Sequence, residues 1–118
     1  MDITSAAEDV TGMLDDGLAA IDDKLQAEFD KACSDPSLVT LLNGLRGRYI
    51  FDKMRVVRAT VTADDGSPEQ AAVLTSLSAA CTSLDGIQKQ SAHDNAWINT
   101  ASDALDKVFT IYGKLAQL

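Results

Sequence analysis

Residues 10–32 read VTGMLDDGLAAIDDKLQAEFDKA. Val10, Leu14, Leu18, Ile21, Leu25, Phe29 and Ala32 recur every three or four positions, the spacing that lines one face of a helix. Asp15, Asp16, Asp22, Asp23, Glu28 and Asp30 fill the remaining face, so the stretch predicts one amphipathic helix with an apolar stripe and an acidic back. Upstream, Ser5-Ala6-Ala7-Glu8 has the form of a capping box, in which the Ser and Glu side chains satisfy each other's free backbone donors. The helix is therefore expected over 5–33, about 40 Å long. Gly12 and Gly17 weaken it by roughly 1 kcal/mol each relative to Ala, leaving its first turns mobile or dependent on a partner surface.

Downstream, Ser34-Asp35-Pro36 ends this helix, because a proline disfavours helical geometry in the residue before it and suits the first turn of the next. Asp35 is the expected N-cap of a second helix over 36–63, carrying Leu38, Leu41, Leu42, Leu45 and Tyr49, then Ile50, Met54, Val57 and Val61. The stripe steps by one position between Tyr49 and Ile50, so its apolar surface is wide and more than one neighbour must cover it. The β-branched run within Val56–Thr62 is where a strand competes; the expectation is helix, with no strand needed anywhere. Asp64-Asp65-Gly66-Ser67-Pro68 breaks the chain, with Gly66 for a turn, Ser67 to cap and Gln70 to complete a second capping box.

A third helix is expected over 67–90, with Leu74, Leu77, Cys81, Leu84 and Ile87 on one face. A fourth follows over 93–117, after the start signals Ser91 and Asp94, with Trp97, Ala101, Leu105, Val108, Ile111 or Tyr112, Leu115 and Leu118. The fold class is all-α. Residues 1–118 form a single helical domain of two antiparallel hairpins, either an up-down four-helix bundle or an extended helical assembly subunit.

Composition sets the class of function. A chain of 118 residues can bury roughly two-thirds of its unfolded surface, enough for one core without metal or disulfide support. The net charge of −8 argues against nucleic acid and anionic membrane as partners, since both present negative charge. No apolar run approaches the roughly 20 residues that span a bilayer, and the N-terminus has neither the basic nor the apolar block of a signal peptide. Cys33 and Cys81 are too far apart in sequence for a metal motif and read as free packing thiols of a reducing cytosol.

Chemistry is sparse. His93, the one histidine, falls in the expected third loop without a second ligand or a nucleophile to activate, and reads as a solvent-facing loop residue. The pairs Asp15-Asp16, Asp22-Asp23 and Asp64-Asp65 point in different directions where helical, and lack the alternating ligands of a calcium loop. Trp97 lies on an apolar stripe and is expected in the core rather than as an exposed anchor. The chain is expected not to be an enzyme, with no catalytic residues, no metal and no cofactor.

Charge is divided by segment. Residues 1–35 carry ten acidic and two basic side chains, residues 36–63 one acidic and five basic, and residues 64–118 seven acidic and three basic. A basic second helix bearing Arg46, Arg48, Lys53, Arg55 and Arg58 therefore lies between acidic ones. These charges are either solvated faces, with pairs contributing about 0–1 kcal/mol each, or they let the acidic helix of one subunit meet the basic helix of another. Under the second reading the interaction residues are those five cations with Asp15, Asp16, Asp22, Asp23 and Tyr49.

From Glu8 to about Arg58 the chain carries Asp9-Val10-Thr11, Leu14-Asp15-Asp16-Gly17-Leu18, Glu28-Phe29-Asp30-Lys31 and Ser34-Asp35-Pro36-Ser37-Leu38, with Tyr49 thirteen residues after the proline. In these motifs it resembles the needle-filament subunits of bacterial type III secretion systems, which are short helical hairpins. Cys33 stands where that family's turn has its first proline, and family members end soon after the second helix, whereas this chain turns at Gly66 and continues. The resemblance implies self-assembly into a hollow filament that passes unfolded effector proteins, and export to the bacterial cell surface without a cleaved leader. The alternative expectation is a bacterial cytoplasmic adaptor or chaperone that binds a partner's amphipathic helix. Either way the partner is protein, as a homo-oligomer, a filament or a heterologous complex, without membrane insertion.

Overall fold

A computed structural model of the chain describes residues 1–91 and 93–118. Four helices, α1 (Ala6–Phe29), α2 (Pro36–Arg58), α3 (Pro68–Gln88) and α4 (Asn95–Tyr112), are joined by a two-residue antiparallel pair, β1 (Thr60–Val61) with β2 (Ala116–Gln117). The all-α expectation holds.

Local chemistry sets three helix starts. The Asp35 carboxylate accepts the backbone N–H groups of Ser37 and Leu38 at 3.0 and 3.3 Å, with Pro36 in the first turn of α2, satisfying donors that the helix itself leaves free. Ser67 accepts Gln70 N–H at 3.1 Å to start α3, and Asp94 accepts Trp97 N–H at 2.9 Å to start α4. Both expected capping boxes are corrected. Ser5 makes no side-chain cap bond to α1; its hydroxyl and N–H face Asp2, whose carboxylate accepts the Ser5 N–H at 2.9 Å. Gln70 reaches past Ser67, accepting Asp65 N–H at 3.3 Å and donating to the Ala63 carbonyl at 3.0 Å.

Each helix also stops short of its expected end. At the end of α1, Glu28 is buried and Phe29 exposed, the reverse of the stripe reading. The Glu28 carboxylate turns inward because it accepts Asp35 N–H at 3.1 Å and Lys31 Nζ at 2.8 Å, which closes the hairpin turn; these bonds hold its pKa below the usual value, against burial. After Arg58 the backbone becomes extended at Ala59, and Thr60–Val61 pairs with Ala116–Gln117 instead of prolonging α2. The strand expected to be unnecessary is thus present. The stiff β-branched residues favour it, and Thr62 N–H donates to the Leu115 carbonyl at 2.7 Å.

Pairings across the bundle give its topology. Asp15 meets Lys53 and Asp22 meets Arg46, so partner numbers fall on α2 as they rise on α1, an antiparallel hairpin. Arg48 meets Ser102 and Asp106, and Arg55 lies over Phe109, so α2 and α4 run parallel. With α1 packed on α2 and α3, and α4 on α3 and α2, the chain is an up-down-up-down bundle measuring 56 × 23 × 17 Å. Leu14, Ile21, Leu42, Leu77, Leu84 and Leu105 are fully buried along its axis, each contributing roughly 1.5–3 kcal/mol relative to exposure. Among the described residues, no helix is long and apolar enough to cross a membrane.

Candidate interaction surface on the second helix

The charged residues expected to meet another subunit mostly meet this one. Lys53 Nζ lies 2.7 Å from Asp15, and Arg46 Nε donates to Asp22 at 2.7 Å. Arg48 binds Asp106 and Ser102 of α4 and stands 4.0 Å from Asp52. Arg55 donates to Asp52 at 3.2 Å, and its guanidinium sits 5.7 Å from the Phe51 ring centre and 5.5 Å from that of Phe109. Of the two readings of these charges, pairing within the chain is what Asp15, Asp22, Arg46, Arg48, Lys53 and Arg55 show: Lys53 and Arg46 neutralise α1, Arg48 reaches α4, and Arg55 pairs within α2. Arg58, Asp16 and Asp23 are exposed and form no ion pair among the described residues.

Tyr49 is corrected as a surface contact, because it is fully buried. Its hydroxyl donates to Gln88 Oε1 at 2.8 Å, and Gln88 Nε2 donates to the Met13 carbonyl at 3.1 Å, so one amide ties α1, α2 and α3 together. Burial raises the Tyr49 pKa well above its usual value and keeps it a donor. Gly17 makes this possible: a Cβ there would overlap the Tyr49 ring and lie 2.8 Å from Gln88 Cδ. The glycine read as a weakness in α1 is a packing position.

Asp52 is also buried. Burial raises its pKa, opposed by the Arg55 hydrogen bond and the charges of Arg48 and Arg55. Trp97 is in the core as expected and donates Nε1–H to the Ile87 carbonyl at 2.7 Å. His93, expected to face solvent, is half-buried instead. Its ring lies 4.1 Å from that of Trp97, and its buried Nε2 has no hydrogen-bond partner among the described residues. Cys33 and Cys81 are free; the Cys81 thiol is pushed up to about 11 by burial and by the nearby Asp9 charge. Among the described residues, no three His, Cys, Asp or Glu side chains gather as metal ligands would.

What remains open is apolar. Phe51, Met54 and Val57, spaced by three, are 60%, 45% and 70% exposed on the outer face of α2, with Ile50 half-buried beside them. The wide stripe expected to be covered by several neighbours is covered on its inner side alone. Beside this strip, a groove of about 430 Å³ runs between α1 and α2, lined by Ala7, Glu8, Thr11, Gly12 and Val57 among others. Gly12 on its wall, and Gly44 and Gly47 on α2, have nothing within 4 Å of where a Cβ would stand. The readable signal was the step at Tyr49–Ile50: Leu38, Leu42, Leu45, Tyr49 and Val56 form one stripe, and Ile50, Met54 and Val57 belong to a second. Phe51, three residues before Met54, belongs to this second stripe but was missed because the stripe was traced from its neighbour Ile50.

No protein-family model matches the chain, and neither a curated protein nor a solved structure matches it.

Proposed function

We propose that this chain is a non-catalytic helical interaction protein that holds other protein surfaces on the outer face of α2. The observation that carries the reading is the strip of Phe51, Met54 and Val57, large apolar side chains left uncovered on a helix whose other face is in the core. Contiguous apolar surface of this kind marks interaction sites, and a row at helical spacing suits a helix as partner. Four of the five α2 cations are engaged by carboxylates of the same chain, which leaves apolar contact as the source of affinity. The test compares the native chain with a Phe51→Asp/Val57→Asp variant whose helicity is unchanged. The expected result is a stoichiometric complex with the native chain that the variant loses. A native chain that is monomeric in sedimentation at high concentration and brings no partner through purification would count against the proposal.

A second reading, self-assembly as a needle-like filament subunit, draws on the motifs of residues 8–58 and on a second apolar spot. Phe29 and Leu41, at the tip of the first hairpin, are also exposed. Two different patches that meet head to tail make a contact that need not close, and such contacts grow filaments. A subunit of that kind would leave the cell without a cleaved leader. Electron microscopy of the concentrated protein decides it, with filaments expected for the native chain and lost on Phe29→Asp; a field without filaments removes the reading.

A further inference from the structure

Along its outer face α2 repeats by steps of four and three, through Thr40, Gly44, Gly47, Phe51, Met54 and Arg58. This is the seven-residue spacing by which one helix lies along another, and all six residues are exposed. Ile50 and Val57, seven residues apart, flank the seam. Its two glycines have nothing within 4 Å of where a Cβ would stand, so within the chain they weaken the helix without serving a close approach. Bulk and gap are also placed symmetrically about Tyr49. Gly47 and Phe51 lie two residues to either side of it, Gly44 and Met54 five, and Thr40 and Arg58 nine.

Building on the proposal that the outer α2 face takes a partner, we infer that its occupant is a second copy of this chain, its α2 laid antiparallel along this one with the two-fold axis at the level of Tyr49. In that register each Phe51 faces the other copy's Gly47, each Met54 its Gly44 and each Arg58 its Thr40, so the same surface serves both copies. With no Cβ at positions 44 and 47, the helix axes can approach to about 8 Å, the short end of the range for packed helices. Charge favours the same orientation. Arg58 is exposed and has no ion-pair partner among the described residues, and the same holds for Asp30 and Asp35 at the opposite end of the hairpin. Antiparallel helices bring each Arg58 to the end that holds the other copy's Asp30 and Asp35. Parallel helices would instead set Phe51 on Phe51, glycine on glycine and Arg58 against Arg58. The net charge of −8 opposes the contact only weakly, because four of the five α2 cations are paired within their own chain and the excess acid lies on the other three helices, which the two α2 helices set apart; salt at about 0.1 M screens charges separated by more than about 10 Å.

The test is sedimentation equilibrium of the full chain from about 1 µM to about 500 µM; one pair of helices is a small interface, so half-dissociation is expected at roughly 10 µM. A Gly44→Gln/Gly47→Gln variant fills both gaps with a better helix former. It should keep its helicity and dimerise more than about tenfold less tightly, because Phe51 and Met54 lose the space they enter. Orientation is read by disulfide trapping in a Cys33→Ser/Cys81→Ala background. A Thr40→Cys chain mixed with an Arg58→Cys chain is expected to give the mixed disulfide, identified by its mass, in preference to either symmetric one. Symmetric disulfides in place of the mixed one overturn the antiparallel seam, and so does self-association that survives Gly44→Gln/Gly47→Gln. If that association is nevertheless lost in Phe51→Asp/Val57→Asp with helicity intact, the α2 surface stands and only its register falls. A chain that stays monomeric to about 500 µM overturns the second copy as occupant; the α2 surface then stands if a different protein is bound and released by Phe51→Asp/Val57→Asp, and falls with the inference if none is.

Discussion

On its inner face α2 presents Leu42, Leu45, Tyr49, Asp52 and Val56, all buried; on its outer face it presents Phe51, Met54 and Val57, all exposed. Both faces carry large apolar side chains, so hydrophobicity alone does not separate them. Commitment to neighbours does. Every polar group on the inner face has a partner at a definite distance, Tyr49 through Gln88 and Asp52 through Arg55. The outer face carries apolar side chains and two glycines with open space above them. One face is finished within the chain, and the other has the form of a surface finished by contact.

The sharpest way to break this contrast is to place the same charge on both faces. Leu42→Asp buries an unpaired carboxylate at a fully enclosed site and is expected to cost more than about 3 kcal/mol, a large share of the stability of a chain of this size. Met54→Asp should change stability by less than about 0.5 kcal/mol, because the side chain already meets water. Urea unfolding followed by circular dichroism measures both. Equal losses would mean that the outer strip is as integral to the bundle as the inner one.

Glycine gives a finer comparison. Gly17→Ala forces Tyr49 and Gln88 away from α1, and overpacking of about 1–3 kcal/mol opposes the gain of roughly 1 kcal/mol in helix propensity; a net loss of up to about 2 kcal/mol is expected. Gly47→Ala meets open space and should stabilise by roughly 1 kcal/mol. The pair therefore differs in sign, and an Ala at position 17 that stabilised would show that the Tyr49–Gln88–Met13 connection does not depend on close approach.

The helix starts were legible because capping is local: Asp35, Ser67 and Asp94 accept donors two or three residues away. The core stripes were legible because they repeat. Glu28 and Phe29 exchanged places because the hairpin turn recruits the carboxylate for Asp35 N–H, seven residues on, a demand set by the hairpin and not by helical spacing. The strand at Thr60 was signalled by β-branching, but its partner is the chain's last turn, far off in sequence. Of the candidate interaction residues, the sequence placed the charges correctly on their helices. It could not say which pairs would form, because that depends on α1 and α2 being neighbours in register, and it could not show that Tyr49 would face Gln88.

The smallest effect is also the most specific to the inner face. The Asp52 pKa is raised above its ordinary value of 3.8, burial outweighing the Arg55 hydrogen bond and the two guanidinium charges. A group that binds its proton more tightly when folded makes the folded state hold more protons than the unfolded one between the two pKa values. Stability therefore falls as pH rises through that window. Asp52→Asn keeps the shape and removes the titration. The native chain is expected to be at its best relative to this variant in acid and to lose ground as pH climbs from 3.8 through the carboxylate range, then to hold a constant difference. Urea midpoints across that range give the slope. A native chain that gains on the variant with rising pH would show that Arg48 and Arg55 stabilise the ionised form by more than burial disfavours it, and the inner face of α2 would then be held by its ion pairs as much as by its packing.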